Sequence, residues 1–200
     1  MAVTVPLRSL CVTRGAIAPG GRVSAPTFRA VAVGTTGDDV GFYFDFEGRS
    51  PEVRALASGQ VRRQLGLKLR AMDGCNLVYV MWRLDPRPQI EVSTKINPGS
   101  RTHAECGARG YAKVIPGHTG RLPPLVAGST HWMYAQIQGD ELRAWVDGQV
   151  AWEGRLPEQA RYVQGPAGLR SDNVAYRIRA VAASPGGAVG VPRCLRDGED

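Results

Sequence analysis

The chain has 200 residues, 43% of them hydrophobic, which suits one sandwich-sized domain with its own core. Its 25 glycines and 14 prolines favour frequent turns over long helices, and no apolar stretch reaches the roughly 20 residues that a membrane-spanning helix needs. The net charge of +7 is mostly arginine, lysine standing only at 68, 95 and 113; these positives are scattered rather than drawn into an aromatic-interleaved stripe, which speaks against a nucleic-acid binder and fits attraction to acidic glycans or anionic surfaces.

In chain order, the opening "MAVTVPLRSLCVTRGAIAPGG" carries an arginine but no continuous apolar run, unlike a secretory leader. Residues 1–27 read as an N-terminal strand or arm ahead of a core at 28–183. "GFYFDFEG" (41–48) alternates, with Phe42, Phe44 and Phe46 on one face and Tyr43, Asp45 and Glu47 on the other. "SPEVRALASGQV" (50–61) is the one helical candidate, with Ser50 as cap, Pro51 at the first position and Gly59 at the end. "QLGLKLR" (64–70) puts Leu65, Leu67 and Leu69 opposite Lys68 and Arg70, and "LVYVMWRL" (77–84), apolar on both sides, reads as a central strand.

"QIEVSTKI" (89–96) sets Ile90, Val92 and Ile96 against Glu91, Ser93 and Lys95. After the long connection "NPGSRTHAECGARGY" (97–111), "HWMYAQIQ" (131–138) and "VAYRIRAVAA" (174–183) are further strands. Between them "LRAWVDGQVAWEG" (142–154) reads as a hairpin whose Asp147-Gly148 pair forms a type I′ turn. A simple register pairs Trp145 with Val150 and Arg143 with Trp152, so Arg143, Trp145 and Trp152 share one face and Leu142, Ala144, Val146 and Ala151 the other. The competing reading buries the tryptophans in a second core layer. The tail 184–200 is turn-rich and irregular.

About ten to twelve short strands without a βαβ rhythm, and at most one short helix, make residues 1–200 a single all-β domain, an antiparallel β-sandwich or jelly roll. The four cysteines at 11, 75, 106 and 194 lack zinc-site spacing. They allow two disulfides, Cys11–Cys194 and Cys75–Cys106, or four free thiols in a reducing compartment.

The order of the later segments resembles the concanavalin A-like lectin/glucanase superfamily, most closely its LamG-like jelly-roll modules. The resemblance covers 40–183 and rests on the hairpin Leu142, Ala144, Val146, Asp147, Gly148 and the closing run Gly165, Gly168, Leu169, Arg170, Ser171, Asn173. It implies a concanavalin A-like fold and a non-catalytic carbohydrate-binding or adhesion module. With strand parity, it makes Tyr43, Asp45, Glu47, Glu91, Arg143, Trp145 and Trp152 the candidate ligand-binding residues, with His103 and Glu105 at the rim. A glycan or polysaccharide is the implied partner.

Laminarinase-like members carry acidic residues at i, i+2 and i+4 of one strand face; here those positions are Tyr43, Asp45 and Glu47, so one carboxylate is missing. The enzyme alternative is a glycoside hydrolase using Asp45, Glu47 and Glu91. The third reading is a structural domain of a surface or multiprotein assembly. Several members use calcium, for which Asp38, Asp39 and Asp172 are the candidate ligands; no other cofactor is implied. His118 and His131 read as structural. The expected location is secreted or cell-surface, any leader being absent from this chain, with the cytoplasm as the alternative.

Overall fold

A computed structural model describes residues 1–186. In chain order the first strands are β1 (Val3–Val5), β2 (Leu10–Arg14), β3 (Arg22–Val23), β4 (Thr27–Ala32), β5 (Thr35–Arg49), β6 (Gln64–Leu69), β7 (Leu77–Arg83) and β8 (Gln89–Lys95). A four-residue helix, α1 (His103–Cys106), precedes β9 (Tyr111–Lys113), β10 (Pro116–Thr119), β11 (Thr130–Gln138), β12 (Glu141–Val146), β13 (Gln149–Arg155), β14 (Ala167–Asp172) and β15 (Val174–Pro185). They form two antiparallel sheets: one of eight strands, ordered β1-β15-β5-β11-β12-β13-β10 with β3 on β15, and one of seven, ordered β2-β4-β14-β6-β7-β8-β9.

Period-two patterning builds the interior. Phe42, Phe44 and Phe46 of β5 enter the same core as Leu65, Leu67 and Leu69 of β6 and Val78, Val80 and Trp82 of β7, all of them buried. The β12–β13 turn has Asp147 at φ 49° and Gly148 at φ 82°, the two positive angles a type I′ turn requires. The Asp147 carboxylate then accepts from the Trp132 N–H and pairs with the buried His131 ring, at 2.9 and 2.7 Å.

Residues 1–27, read as a strand or arm, contribute strands: β1 extends the eight-stranded sheet beside β15, and β2 pairs with β4. Other expectations change. Residues 50–61 form no helix. The Ser50 hydroxyl bonds the Glu52 carbonyl, and the Asn173 side chain takes the backbone groups of this stretch: its Oδ1 accepts from Arg54 N–H, and its Nδ2 donates to the carbonyls of Arg54 and Arg62, at 2.7–2.8 Å. The short α-helix lies instead at 103–106.

Trp152 is the main correction in the hairpin. A register shift between Ala144 and Trp145 pairs Trp145 with Val150 but Ala144 with Trp152, and Arg143 with Glu153. The extra residue, Ala151, inverts the parity of the residues after it, so Trp152 turns into the core at 1% exposure. Cys75 and Cys106 form a disulfide, Cα–Cα 6.0 Å. Cys194, the expected partner of Cys11, and most of the tail lie outside the described residues.

Candidate functional site

The outer face of the seven-stranded sheet carries a cleft of about 640 Å³. Its floor comes from the residues of β4, β14, β6, β7 and β8 that alternate with the core set. The stretch 54–62, tied down by Asn173, forms one wall, and 103–113 forms another. The second wall is fastened by the Cys75–Cys106 bridge.

On the floor, Tyr79 of β7 and Tyr111 of β9 stack with centroids 6.0 Å apart. The Arg170 guanidinium lies 4.5 Å from the Tyr79 ring, and the Lys95 ammonium 5.1 Å from the Tyr111 ring. Tyr111 remains 44% exposed, while its hydroxyl points inward and accepts from Arg170 at 3.3 Å; desolvation raises its pKa.

Beneath, Asp172 is buried and shared by two arginines, Arg29 at 2.8 Å and Arg170 at 3.1 Å, with a third bond from Gln64 at 2.7 Å. Burial pushes the Asp172 carboxyl up, but the charges of Arg29 and Arg170 outweigh it and hold the group well below the ordinary carboxylate range. Glu91, on β8, is surrounded by Arg83 at 2.6 Å, Lys113 at 2.9 Å and Arg62 at 3.2 Å. Burial pushes its pKa up, but the hydrogen bonds and charges of Lys113 and Arg83 together outweigh it and lower the pKa, so it too is held ionised.

The outer face of the eight-stranded sheet is different. Tyr43, Trp132, Tyr134 and Trp145 form a cross-strand row with successive centroids 5.9, 6.2 and 5.4 Å apart. The Arg143 guanidinium sits 5.7 Å from the Trp145 ring rather than on Trp152, and it pairs with Glu153. Asp45 accepts from Arg179 at 2.6 Å and Thr130 at 2.8 Å, and Glu47 pairs with Arg22 and Arg177.

No protein-family model matches the sequence, and no curated protein matches it. Solved structures do. The chain is similar to the carbohydrate-binding module CBM66 from Bacillus subtilis, with 12% identity over 92% of this chain and 95% of that one and a TM-score of 0.57. The fold is of the concanavalin A-like lectin/glucanase type. A tetrameric galectin from the ball sponge Cinachyrella sp. is also similar, at 12% identity, 80% of this chain, 99% of that chain and a TM-score of 0.47.

The candidate residues are therefore divided. Glu91 and His103 line the cleft. Tyr43, Asp45, Glu47, Arg143 and Trp145 lie on the opposite face, and Trp152 is in the core. Asp45 and Glu47 are thus separated from Glu91 by the thickness of the sandwich, and the three carboxylates do not meet. Glu105 is turned to the backbone, accepting from the N–H groups of Arg101 and Thr102 at 2.7 and 2.9 Å as the acidic half of a capping box whose N-cap is Thr102.

The calcium candidates are not gathered either. Asp38 pairs with Arg70, Asp39 accepts from Ser184 and Tyr134, and Asp172 is held by its arginines. Among the described residues no three His, Cys, Asp or Glu side chains assemble a metal site. Reading by parity missed Tyr79, Tyr111, Arg29 and Arg170. The signal was the two-sided apolar strand "LVYVMWRL": Tyr79 and Met81 on its non-core side mark a second covered surface.

Proposed function

We propose that this protein is a carbohydrate-binding, lectin-like module whose sugar site is the cleft on the seven-stranded sheet. The observation that carries this reading is the floor itself, where the exposed ring of Tyr111 stands beside converging polar groups from Glu91, Ser93 and Arg62 within a walled depression. An apolar ring face with a few placed hydrogen-bonding groups is what a pyranose, with one C–H face and a hydroxyl rim, requires. The fold neighbour named as a carbohydrate-binding module supports the same reading.

Glu91 is the one carboxylate among the described cleft-lining residues, whereas glycoside hydrolysis ordinarily uses two, about 5–10 Å apart; this favours binding without catalysis. The disulfide favours a secreted or cell-surface location. Calorimetric titration with a panel of oligosaccharides tests the proposal. At least one is expected to bind, with Tyr111→Ala weakening it about tenfold, the loss of one stacking contact of roughly 1–1.5 kcal/mol. No binding across the panel, or a Tyr111→Ala variant indistinguishable from the parent, overturns it.

A further inference from the structure

We infer that the cleft selects sugars bearing a negative charge, a ring carboxylate or a sulfate ester, over neutral ones. This rests on the carbohydrate reading above and specifies its ligand class.

Glu91 on the floor and Asp172 beneath it are both over-compensated: Asp172 serves Arg29 and Arg170, and Glu91 serves Arg62, Arg83 and Lys113. Among the described residues, two carboxylates thus face five cations. Arg54, at the mouth, adds an exposed guanidinium that makes no side-chain hydrogen bond or ion pair among the described residues. Buried cations are stable only when paired, and the floor pairs two of them with a single acid. A ligand anion completes that balance.

Hydrogen-bond chemistry points the same way. Arginine and lysine are donors only. A neutral sugar presents hydroxyls that donate as well as accept, and it needs acceptors in return. The site's carboxylates are already engaged, the Glu91 oxygens by three cations and Asp172 by three donors, which leaves neutral acceptors such as the Ser93 hydroxyl and the Gln64 Oε1. A carboxylate or sulfate accepts without donating and suits such a lining.

The geometry lets the site respond. The Lys113 side chain is 67% exposed, and its pair with Glu91 is solvated; such pairs contribute at most about 1 kcal/mol, so it can swing to a ligand while Arg83 and Arg62 keep Glu91 compensated. The cations sit within walls, where a field of one sign is focused rather than dispersed.

The test is calorimetric titration of the full chain with a galacturonate hexasaccharide, a heparin-derived hexasaccharide and neutral cellohexaose. At least one anionic hexasaccharide is expected to bind about tenfold or more tighter than cellohexaose, and the two together separate carboxylate from sulfate. Arg54→Glu/Lys113→Glu is expected to abolish the preference, and Arg54→Gln/Lys113→Gln to reduce it. Arg155→Glu/Arg161→Glu, the same charge change on exposed arginines outside the cleft, should leave it within about twofold.

Cellohexaose binding as tightly as the anionic sugars, with sensitivity to Tyr111→Ala, overturns the charge selection and leaves the carbohydrate reading standing. No binding of any sugar overturns both. Equal losses in the two charge-reversed variants reduce the effect to overall basicity and overturn the inference. So does a dT6 oligonucleotide that outbinds every sugar through Arg54 and Lys113.

Discussion

The two outer faces of the sandwich are built from the same alternating strands, yet they differ in what surrounds them. On the eight-stranded sheet, aromatic residues pack against one another in a row, and arginines and carboxylates come close to balance: Arg143 with Glu153, Arg179 with Asp45, Arg155 with Asp140 and Glu141, Arg22 and Arg177 with Glu47. On the seven-stranded sheet, the connections 54–62 and 103–113 rise beside the strands, and among the described residues cations outnumber acids there. Aromatic content does not distinguish the faces. Walls and charge imbalance do, and both arise from connections between strands rather than from the strands themselves.

Four variants probe this contrast. The largest effect belongs to Trp152→Ala, which empties a core position at 1% exposure and is expected to cost about 3–5 kcal/mol in denaturant unfolding. A loss below about 1 kcal/mol would return Trp152 to the surface. Asp172→Asn strips the shared partner from two buried arginines and should cost roughly 3 kcal/mol or more.

The pH dependence of the parent carries the sign of that group. The folded Asp172 pKa lies below its ordinary value of 3.8, so its contribution is full above about pH 4 and is lost as the pH falls through the lowered value. Acid titration of stability should show that loss in the parent and a shallower one in Asp172→Asn.

Cys75→Ser/Cys106→Ser releases one wall and is expected to destabilise by about 2–4 kcal/mol, with weaker ligand binding that matches the parent's under reducing conditions. Smallest is Trp145→Ala, on the opposite face: about 1 kcal/mol of stability and less than twofold in sugar affinity. A tenfold loss of affinity would move the binding site to the aromatic row.

Much of the fold is readable from side-chain parity, because Phe42, Phe44, Phe46 and Leu65, Leu67, Leu69 lie on strands whose inner faces keep a strict period of two. Parity fails at Trp152, where one bulged residue reverses it and nothing in "QVAWEG" marks the bulge. The helix expected at 50–61 fails differently: its composition is adequate, but Asn173, more than a hundred residues away in sequence, claims the backbone groups a helix would use.

The cleft was half legible. Lys68, Lys95, Arg29 and Arg170 look like the hydrated side of amphipathic strands, and only the approach of distant segments buries them. Glu91 and His103 were identified as candidates individually, but the tyrosine pair joins β7 and β9 across β8, a juxtaposition that spacing along the chain does not encode.

Asn173 has one more consequence. It sits at the step from β14 to β15, where the chain leaves one sheet for the other, at φ 57° and fully buried, and from there its amide grips Arg54 and Arg62. The wall of the cleft is thus set by the crossing that closes the sandwich. The conformational entropy of ordering that wall is spent when the protein folds, so a ligand entering the cleft meets a surface already pre-organised and keeps more of its contact energy as affinity.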